Sequence, residues 1–213
     1  MRIRTALLAA TALCVVPSAH AATGWYFSMG AGANWLEETN YAATGGSTYA
    51  GRDEFDTGYI VAAAIGYDWG RWRVEFEAAY RENEIDCVTN ASGAGSCLTG
   101  SFATGGDIWE FSQMVNVLYD VPLGGRWSAS LGVGAGGVLV VADPQLVNWG
   151  GARPDLDDYV FAGQAIAQVA YDLSERWQIF ADYHYLLAED PENTWTVVPR
   201  SVRFEKSDHA AMI

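Results

Sequence analysis

The sequence predicts an all-β protein, an eight-stranded antiparallel up-and-down transmembrane β-barrel whose last strand is cut short. Three observations predict it. The stretches "YDWGRW", "YDVPLGGRW" and "YDLSERW" recur with Asp68, Asp120 and Asp172 spaced 52 residues apart, and a period of tens of residues marks a repeated supersecondary unit. The segments between them alternate apolar and polar residues with the period of two that belongs to strands. The connections alternate short and long. Trp25, Trp72, Trp127 and Trp177 each open one unit, and four units of two strands make eight strands.

The first residues stand apart from this pattern. Arg2 and Arg4 precede an apolar run from Ala6 to Val16, and Ala19-His20-Ala21 offers small residues for cleavage, the pattern of a secretory signal peptide. Residues 1–21 are read as the signal and 22–213 as the barrel domain. Cys14 sits between apolar residues ahead of the cleavage position, which weighs against a lipid anchor. Without Arg2 and Arg4, 10 of the 12 Lys and Arg remain against 26 Asp and Glu, and Lys206 is the only lysine. Nucleic acid is therefore not a partner, because binding there rests on neutralising phosphates. After Val16 no apolar run approaches the roughly 18–20 residues of a membrane helix, so a membrane would have to be crossed by strands.

In the first strand Trp25, Phe27, Met29, Ala31, Ala33 and Trp35 oppose Tyr26, Ser28, Gly30, Gly32 and Asn34. The second sets Tyr59, Val61, Ala63, Ile65, Tyr67 and Trp69 outside. The third is the cleanest: Trp72, Val74, Phe76, Ala78 and Tyr80 share one face, while Arg73, Glu75, Glu77 and Arg81 share the other beside Ala79. A helix would mix these sets. In the fourth, Trp109, Phe111, Val115, Val117 and Tyr119 oppose Glu110, Ser112, Met114, Asn116 and Asp120, with Gln113 an exception expected near the membrane rim. Segments 127–140, 161–172 and 177–186 continue the series, placing Gln164, Gln168, Asp172, Gln178, Asp182 and His184 on the inner parity. Pro199 marks the approach to the eighth strand as loop or frayed edge.

Large aromatics gather at the ends of the apolar faces. Trp25, Tyr67, Trp69, Trp72, Tyr119, Trp127, Tyr171 and Trp177 would form one interfacial girdle, and Trp35, Tyr59, Tyr80 and Trp109 part of another, as the two membrane–water boundaries require. In each "YD…RW" turn the Tyr and Trp would anchor at headgroups, with the Asp and Arg in water or paired with each other. The long connections, near 37–57, 82–106, 141–157 and 187–207, all fall on the other side. Short periplasmic turns and long outer loops are the asymmetry of a bacterial outer-membrane barrel.

The stretches "GWYFSMGAGANW", "GYIVAAAIGYDWGRWRVEFEAAYR", "MVNVLYDVP" and "WSASLGVGAGGV" give the chain a family likeness. It resembles the small eight-stranded outer-membrane barrels of the opacity-protein-like surface antigens, abundant in alphaproteobacteria and related in architecture to the membrane domain of outer membrane protein A. The resemblance spans the whole chain after the signal. It implies a non-enzymatic protein of the bacterial cell outer membrane that contributes to envelope integrity and to surface interaction or adhesion, without cofactor or metal. A small porin-like diffusion channel is the alternative, and a lipid A-modifying enzyme a more distant one. The implied partners are outer-membrane lipid and lipopolysaccharide, the outer-membrane assembly machinery, and host or matrix surface ligands. Barrels of this kind end on an aromatic residue, whereas this chain ends "SDHAAMI"; a strand needs about 9–11 residues to cross, so about six more are expected.

Several residues invite functional readings. Cys87 and Cys97 flank "VTNASGAGS" in the second outer loop, and export to an oxidising compartment predicts a disulfide between them. "GVGAGG" at 132–137 matches a dinucleotide fingerprint, but that motif works only where a helix follows; here Gly132, Gly134 and Gly136 are expected to make room in the lumen. Arg73, Glu75, Glu77, Arg81 and Glu110 form a lumen charge cluster, and eight strands enclose only enough space for side chains, so the charges are expected to pair and plug the barrel. His184 near Asp182 is read as a hydrogen-bonded lumen residue. Ser207, Asp208 and His209 are the closest approach to a catalytic grouping, yet on a strand Asp208 would face away from the other two, and the order departs from the His-x-Ser arrangement of the lipid A deacylase barrels. Glu37, Glu38, Asp53, Glu54, Asp56, Asp155, Asp157 and Asp158 make the outer loops acidic; a solvated face is expected, with cation-bridged lipopolysaccharide binding as the sharper alternative.

Overall fold

The computed structural model describes residues 23–37, 39–44, 49–90, 104–146, 156–189, 192–194, 201–204 and 206–213. Its strands are β1 (Gly24–Leu36), β2 (Thr39–Thr44), β3 (Tyr49–Phe55), β4 (Gly58–Asp68), β5 (Trp72–Asn90), β6 (Thr104–Gly124), β7 (Trp127–Leu146), β8 (Leu156–Asp172), β9 (Gln178–Ala188), β10 (Glu192–Thr194), β11 (Ser201–Phe204) and β12 (Lys206–Met212). Eight of them close on themselves in the order β1-β4-β5-β6-β7-β8-β9-β12 and back to β1. Every neighbouring pair is antiparallel and follows chain order, so the wall is an up-and-down barrel. Closure spares lipid an open sheet edge around the wall except beside the short β12, where residues 24–30 of β1 and 178–181 of β9 have no strand partner on that side among the described residues. No described helix is long and apolar enough to cross a membrane, which leaves the crossing to the strands.

The repeated turn has a structural reason. Trp25 lies directly opposite Tyr67, Trp72 opposite Tyr119 and Trp127 opposite Tyr171, with ring centroids 5.5, 4.9 and 4.9 Å apart. In each repeat the Trp opens an outgoing strand and the Tyr ends the returning one. Gly70 (φ 104°) and Gly125 (φ 63°) take left-handed conformations in two of the short connections, which a side chain would resist.

The Asp of each repeat departs from the expectation that it stays in water or pairs with the turn Arg. Asp68 accepts the Gly70 N–H at 2.5 Å, Asp120 binds Arg73 in the lumen, and Asp172 accepts the Gln178 amide at 2.8 Å. The cause is parity: each Asp follows a Tyr that faces outward, so its own side chain turns inward.

The wall is apolar outside and polar inside. Trp25, Leu131 and Val133 are 76%, 68% and 66% exposed, while Arg81, Glu110 and Asn116 are 1%, 2% and 0% exposed. This inverts a soluble domain, where the apolar face is the buried one. Gln113 is placed mid-wall between Ala78 and Gly137 and not at the rim, and nothing in the structure explains it.

All four long connections contain strand where the sequence suggested loop. β5, β6 and β7 run 19, 21 and 20 residues, about twice the 9–11 that a tilted crossing needs, so they project past the outer rim. Above the Glu84–Asp107 pair, β5 leaves β6 and pairs with β3. β3 then pairs with β2, β2 with β11, and β11 with β10. β12 is the shortest wall strand at 7 residues; it pairs with β9 from Lys206 to Met212 and with β1 over Gly32–Leu36.

Candidate functional site

Arg73 is the centre of a network at the short-turn end of the lumen. Its guanidinium meets Asp120 at 2.8 Å and Glu75 at 3.3 Å, and donates to Ser130 Oγ at 3.0 Å and Gln168 Oε1 at 2.8 Å. Tyr26 on β1 donates to Glu75, and the Arg73 guanidinium lies 5.6 Å from the Tyr26 ring centroid. Strands β1, β5, β6, β7 and β8 are thereby tied across the interior by one side chain. Such sharing suits a fork with five donors.

Carboxylates outnumber guanidinium groups in the lumen, so the expected charge pairing holds for Arg73 but cannot extend to every acid. Glu77 is held by amides instead. Asn116 Nδ2 and Gln164 Nε2 each donate to it at 3.2 Å, and Gln164 Nε2 lies 2.7 Å from Asn116 Oδ1. His184 sits between Glu77 at 3.9 Å and Asp182 at 3.4 Å, the hydrogen-bonded lumen position expected for it. Arg81 is fully enclosed, lies opposite Glu110 in register, and donates to Ser112 Oγ at 2.8 Å. Asn34 and Asn83 join β1 to β5 at 2.7 Å beside it.

The outer half of the lumen is also closed by an apolar cluster that the sequence reading missed. Met114, Val138, Val140, Val160, Ala162 and Leu186 pack together there, on β6 to β9. Ile60, Ala62, Ala79, Ala210 and Met212 pack on the opposite wall. In β7 both faces are apolar, Val138 and Val140 inward and Leu139 and Val141 outward, so alternation gave no signal. Of the glycines of the same strand, Gly134 makes the room expected of it, since a Cβ there would collide with Asn116 Oδ1, whereas a Cβ on Gly132 would meet Leu118 and one on Gly136 the Gln113 backbone. No helix follows them.

Tyr26, Ser112, Asn116, Asp120 and Ser130 belong to the network but were not singled out in advance as members of it. Their signal was parity alone, since each lies on the inward face of its strand. Cys87 is in β5 opposite Glu54, and Cys97, with residues 1–22, lies outside the described residues.

At the outer rim Ser207 and His209 face outward and Asp208 is buried. Ser207 donates to Glu37 at 2.5 Å, and His209 Nε2 lies 2.9 Å from the other Glu37 oxygen. Those two neighbours hold the Glu37 carboxyl below the usual carboxylate range, Ser207 most. The Tyr183 hydroxyl contacts His209 Nδ1. Ser207 thus bonds the Glu37 carboxylate and not the His209 imidazole, which departs from the hydroxyl–imidazole pairing of a catalytic triad. Nearby, the Tyr59 and Tyr80 hydroxyls donate to Glu82 at 2.7 and 2.6 Å, and Tyr80 stacks on Trp109 at 6.0 Å. The outer aromatic girdle therefore carries a carboxylate within it. Among the described residues no group of three or more His, Cys, Asp or Glu is placed to hold a metal.

Residues 5–204 match the outer membrane protein beta-barrel domain family. The chain belongs to that family. A member from Gluconacetobacter diazotrophicus, an outer membrane protein, is 30% identical over 192 residues, covering 81% of this chain and 49% of that protein. This outer-membrane barrel chain therefore spans about half the length of that relative. Among solved structures, the outer membrane protein OprG of Pseudomonas aeruginosa overlays with a TM-score of 0.55 at 14% identity, covering 92% of this chain and 97% of that one. Neisserial surface protein A has a TM-score of 0.42 at 14% identity, covering 86% of this chain and 97% of that one. The OprG likeness speaks for the barrel fold alone. Family and fold together place the barrel in an outer membrane, with the exposed apolar wall toward lipid.

Proposed function

We propose that this barrel is a non-enzymatic surface protein that acts through its exterior and its outer extensions, exported by a cleavable segment at residues 1–21. The observation that carries the reading is the filled lumen. The Arg73 network crosses the short-turn half beside a small cavity lined by Tyr26, Glu75, Glu77, Gln178 and His184, and Met114, Val138, Val140 and Leu186 with Arg81 occupy the outer half, leaving little room for a water column. The strands β3, β2, β11 and β10, continued from β5 above the rim, offer a surface for host or matrix ligands. Lipopolysaccharide is the constant neighbour of the outer wall, and the assembly machinery its partner on insertion. A barrel clamped across five strands by one arginine also supports envelope integrity.

The test is a deletion strain complemented with the whole chain or with a form shortened between Thr39 and Phe55. Deletion is expected to lower detergent resistance and binding to immobilised matrix proteins. The shortened form should restore resistance but not binding. If deletion changes neither property and instead slows uptake of small solutes, the diffusion-channel reading replaces this one.

A further inference from the structure

We infer that the short-turn end carries two related sites for the phosphate of an anionic phospholipid headgroup, one at Arg71, Trp72 and Tyr119 and a second, less fully formed, at Arg126, Trp127 and Tyr171. The inference rests on reading the apolar exterior as the lipid-facing wall.

The two places are built alike. The Arg71 carbonyl accepts the Asp120 N–H at 2.8 Å, and the Arg126 carbonyl accepts the Asp172 N–H at 2.9 Å, so each turn is pinned to the returning strand at the same point. The following tryptophan, 54% exposed at Trp72 and 52% at Trp127, then meets the tyrosine of that strand at 4.9 Å in both cases. Arg71 Nη1 lies 3.2 Å from the Tyr119 hydroxyl oxygen. That oxygen acts as acceptor there, which leaves the phenol proton to donate to a ligand. Arg126 Nη1 reaches only the Leu173 carbonyl, at 3.4 Å.

Charge decides the ligand class. The acid of each repeat is turned inward, Asp120 to Arg73 and Asp172 to Gln178, so neither exposed guanidinium has a carboxylate partner among the described residues. The connections themselves, 69–71 and 125–126, contain no acid. A planar fork without a counter-ion beside a hydroxyl donor matches a phosphate, and a Trp–Tyr pair at the boundary seats the glycerol and upper acyl chain. A zwitterionic headgroup brings its own cation and gains less. The third turn differs: Arg176 has Glu175 as its neighbour and among the described residues no ring pair forms at Trp177, so it is not expected to bind.

The test is electron paramagnetic resonance of spin-labelled phosphatidylglycerol and phosphatidylcholine in symmetric bilayers holding the whole chain. The native barrel should select phosphatidylglycerol, and Arg71→Gln and Arg126→Gln should each lower the association at their site about fivefold, with Arg176→Gln without effect. High salt should weaken the selection. Equal association of the two lipids with the native protein, or selection unchanged in the Arg71→Gln, Arg126→Gln double variant, overturns the sites. If the double variant does not fold, Tyr119→Phe and Tyr171→Phe, which keep the rings and remove the donors, must still reduce selection. Because the bilayers are symmetric, the result does not depend on which end faces the periplasm; failure of the native chain to insert would instead overturn the barrel reading beneath it.

Discussion

The Arg73 guanidinium lies 2.8 Å from the Asp120 carboxylate, β5 to β6, with both groups enclosed by the wall. Removing one member of a buried ion pair leaves the other desolvated without compensation, at about 3–5 kcal/mol. Arg73→Ala should therefore lower folding stability in vesicles by that amount, read from urea titration. Asp120→Asn should cost less, because Glu75, Ser130 and Gln168 still hold the guanidinium. An unchanged midpoint for Arg73→Ala would show that the network does not hold the strands together.

Facing decides the cost of a charge in the wall. Val115 is 51% exposed on the outer face, midway between the Trp109 and Tyr119 girdle positions. Val115→Arg should lose about 2–4 kcal/mol in a bilayer. Met114→Leu, one residue away and inside, conserves volume and should cost under about 1.5 kcal/mol. Equal losses would overturn the inside–outside assignment.

Gly134 and Asn116 should show coupling. With a Cβ 2.0 Å from Asn116 Oδ1, Gly134→Ala overpacks the lumen and should cost about 1–3 kcal/mol. Asn116→Ala removes the obstructing amide, so the double variant should lose less than the two single losses added together. Strict additivity in equilibrium unfolding would mean that the glycine is not there to admit the amide.

The alternation of "WRVEFEAAYR" read out β5 and its lumen acids directly, because charged and apolar residues alternate without exception apart from Ala79. The same rule failed in β7, where Val138 and Leu139 are equally apolar, and so the cluster around Met114 stayed hidden. Parity also located Asp120 inside, but not its partner, since the meeting of Arg73 with Ser130 and Gln168 depends on barrel curvature and closure. The outer hairpin was legible in principle: Tyr41 and Tyr49 flank Gly45-Gly46, a hairpin signal. It was obscured by the acidic, polar composition of the surrounding segment, which also suits a loop. The repeat spacing showed that the turn mattered, and only the register showed that its Trp and Tyr face each other.

Cys87 and Cys97 are expected to form a disulfide in protein taken from the envelope without reductant. The chain-entropy model assigns closure of so short a loop about 2.5–3 kcal/mol of constraint on the unfolded chain. Intact-mass analysis before and after reduction should differ by two hydrogens per chain. Two freely alkylated thiols in the unreduced protein would refute the bond.

The claim that the lumen is filled is tested most directly by single-channel recording of the whole chain in planar bilayers. Arg73, Glu77, Arg81 and Gln164 occupy an interior that eight strands make too narrow for side chains and a water column together. The native barrel should be silent or give small, infrequent openings, and Glu75→Ala with Glu77→Ala should raise that leak. Steady, large conductance from the native monomer would contradict the account and make this protein a diffusion channel.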